Sequence, residues 1–180
     1  EAKESVVSGL PTLSTTATTA SNAGPYAITA VQGTLSASNY SFTMVAGTLT
    51  VGKATVLVTT RDTSRTYGAA NPAFTANYNG FVNGQNYLNS GITGSPSYST
   101  PAVPSSDIGV YPVTPISGTL AATNYTFTFK EGYMTVGKAR LTVTANNASK
   151  AYGAALPVLS AAYTGWVLSD ATNPTAVVSG

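Results

Sequence analysis

The chain has no cysteine and no histidine. The two absences remove thiol nucleophiles, disulfide staples, imidazole bases and the usual zinc and copper ligands at once. Charge is scarce as well: eight bases and six acids make up 8% of 180 residues, for a net charge of +2. The bases Lys3, Lys53, Arg61, Arg65, Lys130, Lys138, Arg140 and Lys150 are scattered. No run of them can track a phosphate backbone, so nucleic acid is not an expected partner. No apolar run approaches the roughly 20 residues of a membrane-spanning helix. With neither an initiator Met nor a signal peptide at its start, the sequence reads as an internal piece of a longer chain. No segment sustains a 3.6-residue periodicity.

What remains is 43% hydrophobic, which favours a folded core over disorder. Thr, Ser, Ala, Gly, Tyr and Val dominate. They give a polar but nearly uncharged surface, as expected of an exported β-protein.

One stretch organises the rest. Asn39-Tyr-Ser-Phe-Thr-Met-Val-Ala-Gly-Thr-Leu-Thr-Val-Gly-Lys53 returns as Asn124-Tyr-Thr-Phe-Thr-Phe-Lys-Glu-Gly-Tyr-Met-Thr-Val-Gly-Lys138, at an offset of 85 residues. A period this long marks a domain-sized unit. Tyr152-Gly-Ala-Ala-Leu-Pro157 repeats Tyr67-Gly-Ala-Ala-Asn-Pro72, and Tyr163-Thr-Gly-Trp-Val167 repeats Tyr78-Asn-Gly-Phe-Val82. The expected organisation is the C-terminal part of a repeat over 1–53, a complete repeat over 54–138, and the N-terminal part of another over 139–180. The two partial copies are complementary, overlapping only where Val6-Val-Ser-Gly9 echoes Val177-Val-Ser-Gly180. The sequence is a window on a longer tandem array, or the tail of one chain completes the head of the next, or the two end pieces fold together within one chain.

Within the units, period-two alternation predicts strands. These are Tyr26 to Val31; Tyr40, Phe42 and Met44 on one face; Leu49 and Val51 pointing inward; and Val56 with Val58. Further strands are expected at Phe74, Ala76 and Tyr78; over Tyr87 to Thr100; at Val110 to Val113; at Tyr125, Phe127 and Phe129; at Met134 and Val136; and at Leu141 and Val143. Asn79-Gly80 reads as a hairpin-type turn, with a second Asn-Gly at Asn83-Gly84. Short strands separated by Gly, Pro and Asn turns predict an all-β fold of tandem immunoglobulin-like β-sandwich repeats of about 85 residues.

At Thr66-Tyr-Gly-Ala-Ala-Asn-Pro72, Gly118-Thr-Leu-Ala-Ala-Thr-Asn-Tyr125 and Met134-Thr-Val-Gly-Lys-Ala139, the chain resembles the MBG domain family of bacterial repeats. The Gly-Thr-Leu…Asn-Tyr block recurs over Gly33 to Tyr40, and Leu156 stands where the middle copy has Asn71. The resemblance covers nearly the whole chain. It implies tandem modules of large secreted or surface-anchored bacterial proteins, often adhesin-like, and carries no standard active site.

Glycoside hydrolysis needs two acids within about 5–10 Å. Glu1, Glu4, Asp62, Asp107, Glu131 and Asp170 form no paired motif, so no catalytic residue is expected. Asp62, Asp107 and Asp170 are isolated, which favours solvated loop acids over a calcium site. Lys53 and Lys138 occupy equivalent places in Val-Gly-Lys-Ala. An isopeptide link there would need a nearby acid, and the first copy has Ala46 where the second has Glu131; a solvated interdomain lysine is the plainer reading. Phe81 and Trp166 read as core anchors, and Tyr87 and Tyr98 as the aromatics with most freedom to stack on a sugar.

The expectation is a non-catalytic stalk or spacer of an extracellular adhesin-like protein at the bacterial cell surface. The alternatives are a self-assembling filament or sheath subunit joined head to tail, and a carbohydrate-binding module. Expected partners are neighbouring repeats, other copies in a filament, and a surface glycan, with no cofactor and no metal.

Overall fold

The computed structural model describes residues 6–168 and 170. Glu1, Lys3, Glu4 and the Val177–Gly180 echo lie outside them. The structure is all-β, with several sheets in sandwich-like repeats. The first strands are β1 (Val7–Ser8), β2 (Thr12–Thr15), β3 (Gly24–Val31), β4 (Ser36–Ala37) and β5 (Gly47–Val51). Then come β6 (Ala54–Thr60), β7 (Thr63–Thr66), β8 (Ala76–Asn79), β9 (Ser97–Ser99), β10 (Gly109–Ile116), β11 (Tyr125–Lys130) and β12 (Gly132–Gly137). β13 (Thr142–Ala145) and β14 (Ala161–Thr164) follow. The sheet orders are β1-β4, β2-β3-β5, β11-β6-β8, β7-β12-β10-β9 and β13-β14.

The described chain divides into two compact units. One is built from Glu1–Leu57, Tyr78–Pro96 and Ser117–Thr128, the other from Val58–Asn77, Ser97–Ile116 and Phe129–Gly180.

In the first unit, β3 alternates as read, with Tyr26, Ile28 and Ala30 on the covered face. It pairs antiparallel with β2 and with β5, Tyr26 opposite Leu49. Leu49 is nonetheless exposed, against expectation. Tyr40 to Met44 is not a strand either. Its copy β11 is one, with β6 beside it in the sheet. The turns also differ from expectation. Asn79 ends β8 without a hairpin, whereas Asn83 (φ 55°) and Gly84 (φ 68°) form the two-residue left-handed turn, closed by Gln85 N–H donating to Val82 O at 3.1 Å.

The second unit carries a core of Ala102, Val113, Met134 and Val136, flanked by Tyr67, Phe74, Tyr98 and Tyr111. β12 alternates buried and exposed residues, placing Met134 and Val136 inward. Antiparallel pairing sets Tyr111 of β10 opposite Met134. The span from Tyr87 to Thr100 yields only β9; Asn86 to Ser90 turns on itself through Asn86 and Asn89 side chains. Short amide side chains capture the backbone there and compete with a ladder.

Strand β7 has no alternating apolar signal, yet it runs parallel to β12, with Arg65 opposite Val136. Its buried residue is the arginine itself. Arg65 Nε donates to Asn71 Oδ1 at 2.8 Å and Nη2 donates to Val103 O, while Asn71 Nδ2 donates to Ala102 O at 2.7 Å. The third copy has Lys150 and Leu156 at the matching positions, and Lys150 Nζ donates to Ala154 O at 3.0 Å. The Asn71-to-Leu156 departure is one half of a joint change: without the arginine, the asparagine has no guanidinium to hold.

Candidate functional site

The two tyrosines with most freedom to stack on a sugar fall in different units, Tyr98 in the second and Tyr87 in the first. Tyr98 packs beside the core with its ring 5.8 Å from Phe74, and burial pushes its phenol pKa up. Tyr87 lies over Tyr78, ring centres 4.5 Å apart. Phe81 anchors the unit as expected, edge-on to Tyr125 at 5.7 Å.

What the repeated motifs do build is the junction between copies. In the first unit the linker Val51-Gly-Lys-Ala54 joins β5 to β6. Asn124 bridges it. Its Nδ2 donates to Asn22 Oδ1 at 2.8 Å, its Oδ1 accepts from Ala23 N–H at 2.9 Å, and its backbone O accepts from Ala54 N–H at 2.9 Å. Lys53 Nζ, the residue weighed for a crosslink, donates instead to Ala122 O at 2.9 Å. The Asn83 turn adds a bond from Nδ2 to Thr19 O at 3.0 Å. A concavity of about 410 Å³ remains, lined by Thr19, Asn22, Gly52, Asn83, Gln85 and Asn124 among others. Apart from the Lys53 ammonium, the junction is thus held by neutral amides and carbonyls, whose bonds salt screens little. That is a use for a surface poor in charge.

In the second unit the next junction uses the Tyr-Gly pair. Tyr67 N–H donates to Gly137 O at 2.8 Å, and Gly68 N–H to Pro104 O at 3.2 Å. Gly68 has φ +83°, and a β-carbon on it would lie 2.7 Å from Val167 Cβ. Only glycine lets Val167 approach this closely. Desolvation first, then the charge and hydrogen-bonding of Asp170, then the Asp107 charge push the Tyr67 phenol pKa up. Lys138, Arg140 and Trp166 line the adjoining concavity of about 360 Å³.

Asp62 Oδ1 accepts Tyr133 N–H at 2.8 Å, and among the described residues no group of three or more acids, His or Cys is placed to hold a metal. The sequence alone did not show that Asn124 is a junction residue; its recurrence 85 residues after Asn39 was the available signal.

Replacing Asn124 by alanine removes the bonds to Asn22 and Ala23 but leaves the backbone bond to Ala54. Amide exchange at Ala23 should rise about tenfold, the equivalent of roughly 1 kcal/mol, with Ala54 far less changed. Equal acceleration at both amides would mean that the side chain is not the clamp.

No curated protein and no solved structure matches this chain. One family model does, over residues 2–50, 56–135 and 141–179, described as MBG domain (YGX type). Tyr67-Gly-Ala69 and Tyr152-Gly-Ala154 supply its Tyr-Gly element, and the chain belongs to the MBG domain family as three successive matches to its YGX type.

Proposed function

We propose that this chain is a non-catalytic structural segment of an extracellular, adhesin-like bacterial surface protein, and that it acts as a stalk or spacer. The observation that carries this reading is the Asn124 clamp. A linker of a few residues is bracketed by Asn124 of the repeated motif, whose side chain bonds Asn22 and Ala23 and whose backbone carbonyl bonds Ala54. Family membership supports the repeat character. A spacer gains from such joints, because each flexible joint removed keeps the far end extended.

A second reading, a head-to-tail filament subunit, draws on one contrast. Tyr40 is 56% exposed, whereas its copy Tyr125 is 2% exposed. Sedimentation velocity over a wide concentration range separates the two. A single elongated species, unchanged on dilution, is the result expected of a stalk. Concentration-dependent growth into long species would replace the stalk by the filament.

A further inference from the structure

The few charges of this chain are not spread evenly. Two of its eight bases and two of its six acids meet around one concavity of about 380 Å³ in the second unit. Arg61, Asp62, Asn77, Lys130, Glu131 and Tyr133 form its rim. The volume falls within the roughly 300–1,000 Å³ of small-molecule sites. The other copies lack this set. The first has Val45, Ala46 and Thr48 in place of Lys130, Glu131 and Tyr133, and the third has Asn146, Asn147 and Ala162 in place of Arg61, Asp62 and Asn77. Among the three copies the set is peculiar to the middle one.

Several are held in place. Arg61 N–H donates to Thr75 O at 2.9 Å and Nε to Asn77 Oδ1 at 2.7 Å. Asp62 Oδ1 accepts from Tyr133 N–H at 2.8 Å, and Tyr133 OH donates to Glu131 Oε1 at 3.2 Å. Close packing beneath them depends on Gly132, where a β-carbon would lie 2.4 Å from Thr60 O and 3.0 Å from Asp62 Oδ1. Other groups are unspent. The Lys130 ammonium and the terminal nitrogens of Arg61 have no partner among the described residues. Thr60, which also lines the concavity, is only 2% exposed, and its Oγ1 has no hydrogen-bond partner. A buried hydroxyl of this kind calls for an explanation.

We propose that this concavity binds a neutral saccharide. The rim offers cationic donors and anionic acceptors in equal number. Vicinal hydroxyls, each able to donate and accept, match that set. A phosphate would meet two carboxylates, and a metal ion would meet two bases. Tyr133, 46% exposed and fixed through its hydroxyl, presents a ring for the C–H face of a pyranose. This site is distinct from the Tyr87 and Tyr98 positions singled out in the sequence, and it does not depend on the stalk reading.

The test uses the full chain against an array of neutral oligosaccharides of glucose, galactose, mannose and N-acetylglucosamine. Each hit is then titrated to roughly millimolar sugar by two-dimensional NMR. Saturable shifts at Arg61, Asp62, Asn77 and Lys130 to Tyr133 are expected. Lys130→Ala and Glu131→Gln, both at exposed positions, should each weaken binding about tenfold, and Tyr133→Ala should weaken it further, while Tyr87→Ala leaves it unchanged. Absence of binding across the neutral set would overturn the proposal. So would a hit confined to acidic glycans or inorganic phosphate, or one that all three rim variants leave intact.

Discussion

Replacing Tyr125 by alanine is expected to destabilise the first unit by about 3–5 kcal/mol, the range for removing a large buried aromatic. Tyr125 is 2% exposed and opens β11. Its ring meets Phe81 edge-on, interplanar angle 77°, and its hydroxyl donates to Gln85 Oε1 and accepts from Val82 N–H at 3.3 Å. It thus ties the strand to the loop that carries the Asn83 turn. Tyr125→Phe keeps the ring and loses the hydroxyl, for about 1 kcal/mol. Tyr40→Ala removes the same residue of the same motif from an exposed position, and should cost less than about 1 kcal/mol. Denaturant midpoints for the three variants, with amide exchange on β11, give the order directly. Comparable losses for Tyr40 and Tyr125 would show that burial is not what separates the two copies.

That contrast also marks how far the sequence could be read. The 85-residue period, the all-β fold, the alternation in β3, β6, β11 and β12, and the inward Val56, Val58, Met134 and Val136 were all legible, because each follows from side-chain periodicity. Tyr40 to Met44 has the same periodicity but is not a strand; a strand also requires a neighbour, which its own sequence does not encode. β7 was hidden for the opposite reason. It has a neighbour, β12, but its buried residue is an arginine whose desolvation is offset by Asn71, by the adjacent Thr66 carbonyl and by the Val103 carbonyl 38 residues away. Asn71 mattered as a hydrogen-bond partner rather than as a turn residue. The junction was half legible: the linker and motif were visible, but which atoms Asn124 engages depends on loops distant in sequence.

Lys53 and Arg65 hold a junction and a strand, whereas Lys130 and Glu131, at the passage from β11 to β12 of the middle copy, are exposed and answer no packing need.

The second large effect is expected at Gly94. In the structure Gly94 has φ +74°, and a β-carbon on it would lie 2.1 Å from Thr119 O and 2.8 Å from Thr119 Oγ1. Gly9 repeats this 85 residues earlier, with φ +78° and 2.0 Å to Thr34 O. The threonines belong to the Gly-Thr-Leu block. Thr119 N–H donates to Ser95 O and Ser95 N–H donates to Thr119 Oγ1, both at 3.0 Å, and Thr34 makes the same two bonds with Leu10 at 3.0 Å. The block is a lock between distant loops, and the glycine is the space it closes on. Gly94→Ala combines a left-handed backbone penalty of about 1–2 kcal/mol with an overpacking cost of about 1–3 kcal/mol, for roughly 2–5 kcal/mol in all. Gly84→Ala has φ +68° but open space around it, so only the backbone penalty applies, about 1–2 kcal/mol. Because the collision is with a backbone carbonyl, no rotamer change relieves it. Thermal midpoints of Gly9→Ala, Gly94→Ala and Gly84→Ala should therefore place the first two together and well below the third; if Gly94→Ala melts alongside Gly84→Ala, the loops separate at little cost and the Gly-Thr-Leu block is not their lock.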